Sequence, residues 1–201
     1  MHKAVIFDAF GTLLKIQNGQ HPYRRLIQLG ISQGRRPHTD DAKRIMTHPW
    51  GIRETAQAFG IDLPSTSLQE LEEMLKTEVE GIEPYPDAIS AIELLQSEGM
   101  TVAICSNLAM PYGAAVKHHF PSLEAYSLSF EVGAIKPQSE IYEDCCSQLS
   151  LMPSSVLMIG DSLQCDREAP RAIGISGYYL DRSSDKGDFP DLLTFVAHVI
   201  K

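Results

Sequence analysis

Strand-like and helix-like segments alternate from residue 83 onward, and this alternation limits the possible folds more than any other feature of the sequence. Apolar, β-rich runs predict strands at residues 101–105, 126–130, 156–159 and 176–180. Apolar residues at helical spacing predict helices over residues 87–98, 112–119, 138–149 and 166–173. Because strand–helix–strand units favour right-handed crossovers, the pattern indicates a parallel sheet with helices on both faces. We therefore expect an α/β fold.

Residues 15–82 have a different pattern, in which amphipathic helical stretches are separated by Gly and Pro and no strand is indicated. Helices are expected at residues 21–29, 40–48, 50–59 and 67–80. The last has the clearest start, since Ser67 and Glu70 form a capping-box pattern before an apolar stripe. We expect a core of residues 1–14 and 83–201, with residues 15–82 inserted as an all-helical unit. This unit leaves and re-enters the core beside the first strand, where it is placed to act as a lid.

Four predicted strand ends that are far apart in the sequence carry polar residues. The apolar run from Ala4 to Phe7 leads directly into Asp8, and the others are Ser106-Asn107, Lys136 and Asp161. Parallel strands end at the same edge of a sheet, where ligands bind in open α/β folds. We therefore expect these side chains to share one pocket.

These residue types support one coherent chemistry. A carboxylate such as Asp8 can act as a nucleophile and form an acyl-phosphate or an ester. The Lys136 ammonium group would keep Asp8 ionised and, with hydroxyl donors, hold anionic substrate oxygens. Asp8 and Asp161 together suit Mg²⁺, which prefers oxygen ligands.

Four stretches resemble the signature motifs of the haloacid dehalogenase-like hydrolase superfamily, and they occur in the expected order. They are Asp8-Ala9-Phe10-Gly11-Thr12-Leu13, Ser106-Asn107, Lys136-Pro137, and Gly160-Asp161-Ser162 through Asp166. The resemblance implies a Rossmann-like core, with residues 15–82 as the helical cap that this superfamily inserts after the first motif.

The resemblance also implies roles for single residues. Asp8 would be the nucleophile. Mg²⁺ would be held by the Asp8 side chain, the Phe10 backbone carbonyl and Asp161. The transferring group would contact Thr12, Ser106 and Lys136, while Asn107 would join the substrate-binding edge. Asp166 and Ser162 would lie behind the metal ligands, with Asp166 able to reach a metal-bound water.

Phe10 departs from the phosphatase pattern, which has an aspartate at this position as general acid and base. A phenylalanine side chain can neither donate nor accept a proton, although its backbone carbonyl can still bind a metal. General acid–base catalysis commonly contributes about a hundred- to ten-thousand-fold to the rate. An enzyme with Phe10 therefore needs a good leaving group or another source of the proton.

Three functions are compatible with this departure. The first is a Mg²⁺-dependent phosphohydrolase that acts on a small phosphorylated metabolite through an aspartyl-phosphate on Asp8, and the Asp161 and Asp166 pair favours it. The second is a metal-independent 2-haloacid dehalogenase, because halide leaves without a proton and this branch resembles the Asp-Ala-aromatic-Gly-Thr stretch. Its carboxylate or halide clamp would come from the insert's arginines, Arg24, Arg25, Arg35 or Arg36. The third is a protein that binds a phosphorylated ligand or a partner with little or no turnover.

Composition narrows the partners and the compartment. The formal net charge of −9 disfavours non-specific binding to nucleic acid or to an anionic membrane. No run approaches the roughly 18 apolar residues that a membrane span needs, and the first residues lack the layout of a signal peptide. The four cysteines have no zinc-type spacing and suit reduced thiols. We expect a cytoplasmic protein, and the oligomeric state stays open.

Overall fold

The computed structural model describes residues 2–184 and 186–201, so Met1, the first residue of the expected core, and Asp185 lie outside this description. The strands are β1 (Ala4–Phe7), β2 (Leu14–Ile16), β3 (Ile82–Pro84), β4 (Thr101–Ser106), β5 (Ala125–Leu128), β6 (Val156–Gly160) and β7 (Ser176–Tyr179). The α-helices are α1 (Pro22–Ser32), α2 (Asp41–Met46), α3 (Ile52–Phe59), α4 (Ser65–Glu80), α5 (Ala88–Ser97), α6 (Met110–His119), α7 (Ser129–Val132), α8 (Ser139–Leu149), α9 (Ala169–Ala172) and α10 (Leu192–Val199). A 3₁₀ turn at Pro153–Ser155 precedes β6, and a π-helical segment at Leu163–Glu168 follows it.

Five strands form one parallel sheet in the order β5-β4-β1-β6-β7, which confirms the predicted α/β architecture. β1 lies in the middle of the sheet, and its four residues are fully buried. Phe7 pairs with Ile104 on β4 and with Ile159 on β6, so the three central strands end at the same level. Residues that follow these strands are therefore brought to one edge.

The two faces of the sheet are covered by separate apolar layers. Val5 and Phe7 of β1 point into the layer that contains α5, α6 and α10, whereas Ala4 and Ile6 point into the layer that contains α8. This alternation follows from the two-residue period of a strand. Burial on both faces explains why β1 reads as an unbroken apolar run.

Helices α1 to α4 form a helical segment, residues 22–80, between β2 and β3. β2 and β3 pair antiparallel as a two-stranded ribbon, with Ile16 opposite Ile82. This ribbon was not predicted, because three-residue strands carry too little periodicity to be recognised. The apolar core of the helical segment is continuous with the layer on the α5 and α6 side of the sheet.

The predicted boundaries differ from the structure most clearly at α4, β5 and α9. α4 begins at Ser65 after Pro64, so the expected capping box at Ser67 is wrong. A proline fits the start of a helix because the first N–H groups have no acceptor within the helix, and proline has no N–H to leave unpaired. The strand expected through Phe130 ends at Leu128, where α7 begins. The helix expected over residues 166–173 is split into the π-helical segment and α9.

Within the described residues, no helix has the combination of length and apolarity that crossing a bilayer requires.

Candidate active site

The sheet's carboxyl edge brings the predicted polar residues together around Asp8. Asp8 directly follows β1, is 6% exposed, and donates its backbone N–H to the Ile159 carbonyl at 3.0 Å. Its Oδ1 accepts a hydrogen bond from Ser106 Oγ at 3.1 Å and another from Lys136 Nζ at 2.6 Å. Both contacts use the same oxygen, and among the described residues no side chain donates to Oδ2.

Lys136 is a buried cation between two carboxylates. Its Nζ lies 2.6 Å from Asp8 Oδ1 and 2.6 Å from Asp166 Oδ1, and the residue is 4% exposed. Burial by itself would lower the pKa of Lys136, but Asp8 and Asp166 outweigh it and raise that pKa well above its ordinary value. The ammonium group therefore stays charged at neutral pH.

Asn107 fixes the backbone of Lys136. The Asn107 Nδ2 donates to the Lys136 carbonyl at 2.9 Å, and the Lys136 N–H donates to Asn107 Oδ1 at 2.7 Å. The Lys136-Pro137 peptide bond is cis. The sequence-based expectation put Asn107 at the substrate-binding edge, whereas in the structure both ends of its amide hold the lysine.

Asp8, Asp161 and Asp166 form a compact acidic cluster in which one carboxylate oxygen of each lies within 4.8 Å of the others. Asp161 is exposed, yet desolvation on its protein side and the charges of Asp8 and Asp166 raise its pKa to about 6. Burial also raises the pKa of the Asp166 carboxyl, against the opposing charge of Lys136. Mutual repulsion of this kind is what a bound cation relieves.

Two glycines make room for this cluster. A Cβ on Gly11, whose φ is +86°, would lie 2.0 Å from Asp161 Oδ2. A Cβ on Gly160 would lie 2.3 Å from the Asp166 carboxylate carbon. Larger residues at these positions would displace the carboxylates, so the close approach of the loops depends on glycine.

The π-helical segment holds Asp166 in place. The Ser162 N–H donates to Asp166 Oδ2 at 2.9 Å, while the Ser162 hydroxyl accepts from the Cys165 N–H at 3.3 Å. Ser162 therefore links Asp166 to the first turn of this segment.

Thr12 and Phe10 complete the loop after β1. Thr12 is fully buried, and its hydroxyl has no hydrogen-bond partner among the described residues. The Phe10 ring packs edge-on against Tyr112, with the ring centroids 6.0 Å apart. The side chain at the position where phosphatases of the resembled superfamily have an aspartate therefore packs against another aromatic ring.

The donor set fits a small, hard divalent cation. The cluster offers one carboxylate oxygen from each of three acids, and these oxygens are close enough together to share a single ion. Mg²⁺ prefers such oxygen ligands and keeps several waters. The same cluster has more negative charge than Lys136 can neutralise.

Arg35, one of the four arginines proposed to bind a halide or carboxylate, already pairs with an acid of the chain. Both terminal nitrogens of Arg35 contact Asp41, with NH1–Oδ2 at 2.8 Å and NH2–Oδ1 at 2.5 Å. Arg24, Arg25 and Arg36 are exposed. A halide or carboxylate site built on Arg35 would have to break this ion pair.

Sequence reasoning missed a buried pair next to Phe10. Tyr112 Oη donates to Glu78 Oε1 at 2.6 Å, and Glu78 is 3% exposed. The available signal was the position of Glu78 on α4, seven residues after Leu71 and so on the same apolar stripe. An acid on such a stripe needs a buried partner.

Comparison with protein families shows a match between residues 2–174 and the model described as haloacid dehalogenase-like hydrolase. A ribulose-1,5-bisphosphate 5-phosphatase from Halopiger xanaduensis is 28% identical over 110 residues, covering 53% of this chain and 46% of the relative. An (S)-2-haloacid dehalogenase 4A from Burkholderia cepacia is 25% identical over 177 residues, covering 80% of this chain and 75% of the relative. The chain thus spans about half the length of the phosphatase.

Solved structures share the fold. A HAD phosphatase from Thermococcus onnurineus superposes with a TM-score of 0.69 at 23% identity, covering 98% of this chain and 97% of the other. A HAD family enzyme from Bacteroides thetaiotaomicron, solved in complex with magnesium and inorganic phosphate, gives a TM-score of 0.63 at 18% identity, covering 92% and 98%. These likenesses extend over nearly the whole chain.

Proposed function

Because the chain belongs to the haloacid dehalogenase-like hydrolases, we propose that it is a Mg²⁺-dependent phosphohydrolase that acts on a small phosphorylated metabolite. The observation that carries this proposal is the cluster of Asp8, Asp161 and Asp166 around Lys136. A nucleophile alone does not require two further acids at this distance. Three neighbouring carboxylates are explained by a cation that they share.

In this proposal Asp8 is the nucleophile. Ser106 and Lys136 hold its Oδ1, which leaves Oδ2 to attack the substrate phosphorus. The bond from Oδ2 to phosphorus forms as the bond from phosphorus to the alcohol oxygen breaks. The leaving oxygen takes its proton from water or from a substrate hydroxyl, since Phe10 has none to give. Water then attacks the phosphorus of the aspartyl-phosphate, and inorganic phosphate and the Asp8 carboxylate are released.

The other residues of the site bind the phosphoryl group and the metal ion. Lys136 and Ser106 contact the transferring phosphoryl group, and the Thr12 hydroxyl donates to one of its oxygens. Mg²⁺ would be held by the Asp8 side chain, the Phe10 carbonyl and Asp161, with Asp166 and Ser162 behind them. When bound, it would neutralise the negative charge of the phosphoryl oxygens and the carboxylates. The Bacteroides enzyme of the same fold was solved with magnesium and inorganic phosphate, which supports the choice of these two ligands but not of the residues that hold them.

In this proposal the two parts of the chain have different roles. Residues 1–14 and 83–201 form the catalytic core, and residues 15–82 form a cap that selects the substrate. Contacts of α4 with α6 and of α2 with α7 support it, because α7 directly precedes the loop that carries Lys136. The cap would exclude water while Asp8 is phosphorylated.

The second candidate is a 2-haloacid dehalogenase. Phe10 favours it, since halide leaves without protonation, and so does the Burkholderia relative that matches 80% of the chain. The acidic cluster speaks against it, because Asp161 and Asp166 would repel a haloacid carboxylate without a cation between them.

One experiment separates these functions. Release of phosphate from a panel of phosphorylated metabolites is measured with Mg²⁺ and with chelator, beside halide release from short 2-haloacids. Phosphate release that depends on Mg²⁺ supports the proposal, and halide release that persists in chelator replaces it with the dehalogenase. The absence of both products favours a protein that binds a phosphorylated ligand without turnover. The Asp8→Asn variant, prepared identically, corrects for contaminating phosphatases.

A further inference from the structure

Arg182, in the loop after β7, reaches back to the loop that follows the nucleophile. One terminal nitrogen, NH2, donates to the Thr12 carbonyl at 2.8 Å. Its guanidinium also lies 4.1 Å from the centroid of the Tyr85 ring. The family match ends at residue 174, so Arg182 lies beyond the matched part of the chain.

Asp87 fixes the orientation of this arginine. NH1 of Arg182 donates to Asp87 Oδ2 and NH2 donates to Asp87 Oδ1, both at 3.0 Å. Asp87 Oδ2 also accepts the Leu192 N–H at 2.9 Å, at the start of α10. A bidentate pair of this kind sets the plane of the guanidinium as well as its distance.

The same cluster also holds the next carbonyl of the nucleophile loop. The Tyr85 N–H donates to the Leu13 carbonyl at 2.9 Å, and the Tyr85 ring lies under Arg182. Two successive carbonyls, those of Thr12 and Leu13, are therefore fixed from outside the loop. The backbone that carries the Thr12 side chain has little freedom to move.

The restrained loop carries the Thr12 hydroxyl. This hydroxyl is fully buried and has no partner among the described residues, although buried polar groups are normally hydrogen-bonded. In the proposed function this donor, four residues after Asp8, finds its acceptor in the ligand. A ligand with anionic oxygens fits, because a buried hydroxyl binds a charged acceptor more strongly than a neutral one.

We infer that Arg182 is a positioning residue that acts through Thr12, holding this loop so that the Thr12 hydroxyl donates to a phosphate oxygen. The inference rests on the proposed phosphohydrolase function. Arg182 itself does not touch the phosphate in this role. Its contribution is the orientation of a donor that is in place before the ligand binds.

A double-mutant cycle tests the coupling between the two residues. Binding of inorganic phosphate in the presence of Mg²⁺ is measured by calorimetry for the wild type, Arg182→Gln, Thr12→Val and the double variant. Each single substitution is expected to weaken phosphate binding about tenfold, the size of one lost hydrogen bond to a charged group. The double variant is expected to bind no more weakly than Thr12→Val, because Arg182 acts only through Thr12.

Arg171→Gln is the matched control. Arg171 also donates to a backbone carbonyl, that of Gly177, at 2.8 Å and lies 5.9 Å from the centroid of a tyrosine ring, that of Tyr178. Its partners are on edge strand β7 rather than in the nucleophile loop, so phosphate affinity is expected to stay at the wild-type value. Arg182→Lys replaces Arg182→Gln in the cycle if the glutamine variant does not fold, because lysine keeps the charge but loses the bidentate geometry.

The outcomes separate the two ideas. Losses that add up in the double variant, or an unchanged affinity in the Arg182 variants, overturn the positioning role while the proposed function stands. A wild-type protein that neither binds phosphate nor releases it contradicts the proposed function, and the role of Arg182 falls with it.

Discussion

Tyr112 donates its phenolic hydrogen to Glu78 across the junction between the helical segment and the core, with the oxygens 2.6 Å apart. The other oxygen of this buried carboxylate, Oε2, accepts the backbone N–H groups of Gln20 and His21 at the entrance to α1. His21 has a left-handed backbone with φ of 55°, which is uncommon for a residue other than glycine. One carboxylate thus joins α4, α6 and the start of the helical segment.

Removing this hydroxyl is expected to loosen the junction. Tyr112→Phe keeps the ring against Phe10 but leaves a buried carboxylate oxygen without its donor, which should cost about 1.5–3 kcal/mol of unfolding free energy. Urea unfolding measures the loss. Hydrogen exchange should become faster at the amides of Gln20 and His21.

Tyr23→Phe is the matched control, because the Tyr23 hydroxyl donates to the Trp50 carbonyl at 3.1 Å inside the helical segment. It should cost about 1 kcal/mol, as is usual for a neutral hydrogen bond, and leave exchange at Gln20 and His21 unchanged. Equal exchange in both variants would show that Glu78 does not restrain the entrance.

Asp8→Asn is expected to abolish turnover without unfolding the protein. An amide is a poor nucleophile, so phosphate release should fall by at least about a thousandfold. Thermal melting should show that the protein stays folded, because Asp166 still pairs with the buried Lys136 when the Asp8 charge is removed. Asp62→Asn, at an exposed position, should match the wild type in both assays. Full activity of Asp8→Asn would remove Asp8 from the nucleophile role.

Phe10→Asp is expected to raise turnover most for substrates with poor leaving groups. The new carboxyl supplies the missing acid and base, a contribution of about a hundredfold or more where protonation limits the rate. Phe10→Asn introduces a side chain of nearly the same size as aspartate, but one that cannot donate a carboxylic proton. It therefore controls for the lost contact with Tyr112. Rates are compared across a series of aryl and alkyl phosphates, and a uniform loss across that series would argue against a protonation-limited step.

Mg²⁺ is expected to stabilise the wild type against heat. A cation bound only to the folded state adds about 2.7 kcal/mol at a concentration a hundred times its dissociation constant. Differential scanning calorimetry with MgCl₂, against NaCl of equal ionic strength, measures this gain. Asp161→Asn should lose most of it, because this carboxylate is one of the three that converge. The same gain in the variant would place the cation elsewhere.

The Arg35–Asp41 ion pair predicts a pH-dependent stability. The Arg35 hydrogen bonds hold the pKa of the Asp41 carboxyl below its ordinary value. The unfolded chain therefore binds more protons than the folded one at acidic pH, and the stabilisation is complete above about pH 4 and lost as the pH falls through the folded pKa. Asp41→Asn should cost about 1.5–3 kcal/mol at pH 7 in urea unfolding. The difference from the wild type should shrink towards pH 3.

Asp40→Asn changes the neighbouring, exposed acid and should show neither the loss nor the pH dependence. A constant difference between Asp41→Asn and the wild type at every pH would mean that the carboxylate charge contributes nothing.

The meeting of Asp8, Ser106 and Asp161 was predictable from a general property of parallel sheets. Lys136 was also predicted at a strand end, but it reaches the edge from the loop between α7 and α8. A strand that runs into a polar residue delivers it to the common edge, whatever the rest of the fold does. The burial of β1 was predictable for the same reason, since an unbroken apolar run marks a strand covered on both faces.

Other features depend on contacts that no local pattern contains. The Glu78–Tyr112 and Arg182–Thr12 hydrogen bonds join residues 34 and 170 positions apart, so neither partner identifies the other in the sequence. The π-helical segment at Leu163–Glu168 has no distinct apolar period and was predicted in part as an α-helix. The sequence does not distinguish whether Asn107 binds a substrate or another residue, and the structure shows that its amide holds the Lys136 backbone.

The β2–β3 ribbon has an evolutionary consequence. Ile16 and Ile82 pair in the ladder, so the chain leaves the core and returns to it at neighbouring positions. The whole helical segment is therefore a single long hairpin loop between β2 and β3. An insertion or deletion in that loop need not change the register of any strand in the five-stranded sheet. With residues 15–82 as the proposed substrate-selecting cap, a new substrate could be acquired by replacing one contiguous piece of the gene.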